Sequence, residues 1–94
     1  PLTKEELLQI VDLMLKDTTN ALNERNIYLT VPNSAKEFIL SKGTNLKYGA
    51  RPLRRAIQRY VEDEISEMIL RGEVTDGQTL NVDMENDELK IKVV

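Results

Sequence analysis

From Leu53 to Leu70 the chain carries one long helical period, and any fold it adopts must cover the apolar stripe that this period builds. Leu53, Ile57, Tyr60, Val61, Ile65 and Met68 fall on one face at about 100° per residue. Pro52 is a residue type favoured in a first helical turn, and Arg71-Gly72 is a stop. On the opposite face Arg51, Arg55 and Arg59 stack at i, i+4 and i+8, and four of the chain's six arginines lie between Arg51 and Arg59. Backbone N–H groups and the positive end of the helix dipole favour anions there, so cations at that end cost stability unless something negative meets them. Beyond Arg59 the sign reverses to Glu62, Asp63, Glu64 and Glu67. The helix start is therefore a candidate phosphate site, and the plainer alternative is a solvated basic face worth little to stability.

The remaining elements follow from periodicity and caps. Thr3-x-x-Glu6 is a capping box with Leu2 and Leu7 as its hydrophobic staple, opening a helix expected to run to about Asn23–Arg25. Its stripe is Leu7, Leu8, Val11, Met14, Leu15, Ala21 and Leu22, with Thr18 filling the gap. Ile27 to Val31 alternates at period two and stops at Pro32, which predicts a strand. Asn33 or Ser34 can cap a short second helix, Ser34 with Glu37 giving a second capping box, and the helix is buried through Ala35, Phe38 and Ile39 and closed by Gly43 as a C-terminal cap. Thr44 to Gly49 is a polar connector anchored by Leu46 and Tyr48. After the Asp76-Gly77 turn signal, Leu80, Val82 and Met84, then Leu89, Ile91 and Val93, alternate across the short link Glu85-Asn86-Asp87 as a hairpin. The expected fold is α+β, three helices packed on a three-stranded sheet in the order α-β-α-α-β-β, with residues 1–94 as one domain.

Composition narrows the function. The 94 residues hold no cysteine and no histidine, which removes thiol nucleophiles, zinc–thiolate sites and the commonest general base. A net charge of −3 and 4% aromatics weigh against nucleic acid as a partner, because phosphate backbones call for basic surface and single strands for stacking platforms. No apolar run approaches a membrane span. The four glycines form no phosphate loop and no dinucleotide fingerprint, and Val61-Glu62-Asp63-Glu64 lies mid-helix rather than at the end of a magnesium-binding strand. Asp83, Glu85, Asp87 and Glu88 flank a hairpin turn without the spacing of a calcium loop, so no metal site is expected. A chain that opens on Pro1 without methionine is expected to be a fragment or a processed product.

The run Gly43-Thr44-Asn45-Leu46-Lys47-Tyr48-Gly49-Ala50-Arg51-Pro52-Leu53-Arg54-Arg55-Ala56-Ile57 resembles the second-sensor region of the Clp/heat-shock unfoldases, AAA+ ring ATPases that include ClpA, ClpB and ClpC. The ClpC branch is the one it most resembles, and Ile10-Val11-Asp12-Leu13-Met14-Leu15-Lys16 is similar to its plastid-type members. The resemblance covers nearly the whole chain and identifies it with the small C-terminal (lid) subdomain of the second ATPase module. Asn45 and Leu46 depart from the aspartate and proline that many relatives carry in the connector.

The resemblance implies that Arg51 is the second-sensor arginine, reaching the β- and γ-phosphates of ATP held, with magnesium, by a large subdomain absent from this chain. Ile10 and Ala50 would lie against the adenine. Arg54, Arg55 and Arg59 would face acids of the large subdomain or of the next subunit in a hexamer, with a helical pair to Glu62 or Asp63 as the plainer role for Arg59. Implied partners are the large subdomain, neighbouring subunits and, through the absent portion, a ClpP-type peptidase. The implied compartment is bacterial cytoplasm or plastid stroma. The fragment alone is expected to lack ATPase activity, since it holds one wall of the site. The competing reading is a free-standing interaction module whose basic helix holds an acidic protein or nucleic acid.

Overall fold

The computed structural model describes residues 2–43 and 51–94. Helix α1 (Lys4–Glu24) opens on the expected capping box. The Glu6 backbone N–H donates to Thr3 Oγ1 at 3.1 Å, and the Thr3 N–H donates to Glu6 Oε1 at 3.0 Å. The helix closes in a Schellman motif: Asn26, at φ 62°, donates to the Asn23 carbonyl, and Ile27 donates to the Leu22 carbonyl. Leu22 and Ile27 are both buried, so the same turn that ends the helix ties the following strand to the core.

Strand β1 (Tyr28–Thr30) is shorter than the alternation from Ile27 to Val31 predicts, because Ile27 is spent on the helix end. Helix α2 (Asn33–Gly43) begins with the Pro32 carbonyl accepting from Ala35 and Lys36, at 3.1 and 3.2 Å. Ser34 stands inside the first turn rather than before it, and Glu37 pairs with Lys4 at 3.0 Å, so the expected Ser34–Glu37 box is replaced by a tie between α1 and α2. Gly43 differs as well. It is the last residue of α2, is buried, and lies where an added Cβ would stand 2.7 Å from Leu53 Cα and 2.9 Å from the Pro52 carbonyl oxygen. Its task is close approach between two helices, not a left-handed cap.

Residues 51–70 form one continuous helix in three segments: α3 (Arg51–Ile57), a π-helical turn (Gln58–Glu62) and α4 (Asp63–Leu70). The cause is legible in the spacing. Leu53, Ile57, Val61 and Ile65 recur at every fourth residue and all are buried. In an uninterrupted α-helix that spacing drifts by about 120° over three steps, and one extra residue in a turn takes back about 100° of it. The π turn keeps all four on the core side. Gly72, at φ 77°, then ends α4 in a second Schellman motif, with Gly72 donating to Ile69 and Glu73 to Met68.

Strands β2 (Thr79–Glu85) and β3 (Glu88–Val93) form the expected hairpin around Asn86 and Asp87, whose φ values of 51° and 62° suit a two-residue turn. The sheet order is β1-β2-β3. β1 runs parallel to β2 in the register Leu29↔Leu80, and β2 runs antiparallel to β3 in the register Val82↔Ile91. The result is the expected α+β arrangement, three helices on a mixed three-stranded sheet. One apolar cluster joins Val11 and Leu15 of α1, Ile39 of α2, residues 53–68 of the long helix and Leu80 of the sheet. Phe38, expected in that core, is half-buried at its rim and meets Tyr60 edge-on at 5.3 Å.

Candidate functional site

Charge pairing divides the long helix into two unlike halves. In the acidic half, Arg71 reaches Glu64 at 3.6 Å and Glu67 at 3.5 Å and also engages Glu73, so the wrong-end acids have a cation brought back to them. In the basic half, Arg51, Arg54, Arg55 and Arg59 are exposed and have no ion pair among the described residues. Other cations are occupied: Lys4 by Glu37, Lys36 by Asp12, Lys90 by Glu88 and Lys92 by Glu85. Lys16, Arg25 and Lys42 also lack ion pairs among the described residues, but they stand singly, and Lys42 lies over the Phe38 ring. Three arginines on one turn and a half of helix repel one another, and no ion pair among the described residues offsets that.

Arg51 is the first residue of α3. Ala50 lies outside the described residues, as do Tyr48 and Gly49. Ile10 is half-buried on α1 and packs against the core cluster, one turn ahead of Met14. Arg54 borders a cavity of about 300 Å³ between α1 and the long helix, lined from α1 by Met14, Asp17, Thr18 and Ala21 and from the long helix by Arg54, Ile57, Gln58 and Glu62. A second cavity of about 310 Å³ shares Thr18, Ala21 and Glu62 with the first and continues to Arg25 and Ile69. Numbers rise together along both walls, so the two helices run side by side in the same direction. Ile10 and Arg51 line neither cavity; each lies about one helical turn before the first lining residue of its helix, Met14 and Arg54.

Arg59 leaves the stack and makes neither helical pair, with Glu62 or with Asp63, among the described residues. The π turn breaks the i, i+4, i+8 stack after Arg55, and the Arg59 guanidinium carbon lies 5.3 Å from the centroid of the Tyr60 ring. Glu62, one of its expected partners, accepts instead from Thr18 Oγ1 at 2.6 Å. The spacing of Thr18 puts it in the apolar stripe, and it is only 6% exposed. Its role as a donor across to the long helix has no signature in spacing, since Thr fills a stripe with its methyl group and bonds with its hydroxyl.

Residues 2–82 match the family described as the C-terminal, D2-small domain, of ClpB protein. The chain belongs to that family and is a Clp-type AAA+ chaperone lid subdomain. It is 46% identical over 92 residues to the ATP-dependent Clp protease ATP-binding subunit ClpC of Staphylococcus aureus (strain USA300), a match covering 98% of this chain and 11% of that protein. The corresponding protein of Staphylococcus epidermidis is 45% identical over the same length and coverage. The chain thus spans about a tenth of the length of these relatives.

Proposed function

We propose that this chain is the lid of an ATP-dependent Clp-type unfoldase and that Arg51 is its second-sensor arginine. The observation that carries the reading is the arginine turn at the start of α3, which has no ion pair among the described residues, in a chain where Arg71 is brought back onto Glu64 and Glu67 of the acidic half of the same helix. A guanidinium is always charged and forks onto phosphate oxygens, so Arg51 suits the β- and γ-phosphates of ATP presented by a large subdomain with its magnesium. ATP supplies the anhydride whose cleavage removes the γ-phosphate charge. Arg51 binds and orients that charge before cleavage and loses an anchor after it, which lets the lid pivot against the large subdomain. Ile10 and Ala50 form the adenine-facing wall beside it. Arg54 and Arg55 meet acids of the large subdomain or of a neighbouring subunit in a hexamer, and a ClpP-type peptidase docks on the part of the protein beyond this chain. The compartments that fit such an unfoldase are bacterial cytoplasm or plastid stroma.

The test is Arg51→Ala in the full-length protein that carries this chain. Loss of one charge-assisted contact to phosphate is expected to lower ATP turnover about 10- to 100-fold. The circular dichroism of the lid should not change, because Arg51 is exposed and has no ion pair among the described residues. Unchanged turnover removes Arg51 from the mechanism.

A further inference from the structure

Thr18 is the buried polar residue of α1, and its hydroxyl has two acceptors within reach. The Met14 carbonyl one turn back is 3.5 Å away, at the limit of a hydrogen bond, whereas Glu62 Oε2 on the facing helix is 2.6 Å away. A hydroxyl that needed only to be satisfied could have stayed with its own helix. Instead it makes the one side-chain hydrogen bond between α1 and residues 51–70 among the described residues. The acceptor's position gives the bond its meaning, because Glu62 is the last residue of the π turn and follows the fully buried Val61.

A π turn has poorer hydrogen-bond geometry than an α-turn and persists where tertiary contacts hold it. Here Val61 holds it from the core side, and the Thr18–Glu62 bond holds it at the groove. If the turn relaxed to α, the segment Arg51–Ile57 would rotate by about 100° relative to α4, and every arginine on it would turn with it.

We propose that Thr18 and Glu62 are positioning residues, whose bond fixes the rotational phase of the arginine turn relative to α1 and so aims Arg51. The proposal rests on the reading of Arg51 as the phosphate contact. Its test is Thr18→Val, which keeps the branched shape and removes the hydroxyl, with Thr18→Ser as the variant that restores it. In the full-length protein, Thr18→Val is expected to speed amide exchange across residues 58–63 and to lower kcat/KM for ATP about tenfold, and Thr18→Ser is expected to return both toward the parent values.

A double-mutant cycle separates aiming from plain stability. If Thr18 acts through Arg51, Thr18→Val has no further effect on turnover once Arg51 is alanine. An equal loss in both backgrounds, or unchanged exchange and turnover in Thr18→Val, overturns the positioning role. Failure of the underlying reading shows separately, as Arg51→Ala with undiminished turnover.

Discussion

Gly43 is where a single missing carbon decides how two helices meet. An added Cβ would stand 2.7 Å from Leu53 Cα and 2.9 Å from the Pro52 carbonyl oxygen, both backbone atoms that cannot swing aside. Gly43→Ala must therefore push the first turn of α3 away from the end of α2. We expect a loss of about 1–3 kcal/mol, the usual cost of overpacking, measured as a lower urea midpoint with an unchanged m-value. An unaltered midpoint would show that the contact is slack. The sequence marks Gly43 as special but not why, because a glycine after a helical run is most often a left-handed cap, and only the partner helix reveals close approach. Arg51, by contrast, was legible at once, since a cation at a helix start contradicts the dipole wherever the chain folds. Thr18 lay between these cases: its burial followed from spacing, its partner did not.

At the scale of elements, the ends of helices account for much of what the chain specifies about itself. The Thr3–Glu6 box satisfies two backbone N–H groups at the start of α1, and Thr3→Ala is expected to cost about 1 kcal/mol. The backbone N–H of Thr3, and then its hydroxyl, hold the Glu6 carboxyl below the usual carboxylate range. A carboxyl whose folded-state pKa is depressed stabilises the fold above its unfolded-state pKa and loses that contribution as pH falls through the folded value. The gap in thermal midpoint between the parent chain and Glu6→Gln should therefore be present at neutral pH and close below about pH 4. A pH-independent gap would mean that the side-chain charge is not what the cap uses. Such caps are written locally, and so is the Asn86-Asp87 turn. The π turn is written too, in the four-residue spacing of Leu53, Ile57, Val61, Ile65 and Ile69, but over two turns that spacing cannot be told from 3.6 and only the full run separates them.

For the whole molecule, all three helices and the sheet contribute to one apolar cluster, and Val11, Ile39, Leu53 and Leu80 within it are fully buried. We propose that the chain unfolds as one cooperative domain, with coincident transitions by far-ultraviolet circular dichroism and tyrosine fluorescence and with no ATP hydrolysis of its own. Two separated transitions, or turnover by the purified chain, would contradict this. The sheet's membership was legible in its period-two runs, but its order was not. Nothing local in Ile27 to Val31 says which strand it will join, and the choice is made by the helices that carry the chain back.

That choice has a consequence for how the chain comes into being. Residue 28 pairs with residue 79, so β1 leaves the ribosome long before the strand it pairs with, whereas hairpins such as β2–β3 close in about 1–10 microseconds. Closing the larger loop costs more chain entropy than closing the hairpin, so we expect β1 to join the sheet last. For that interval it is an open template for any neighbouring nascent chain. Three residues, bounded by a left-handed Asn26 on one side and Pro32 on the other, offer such a neighbour very little to copy.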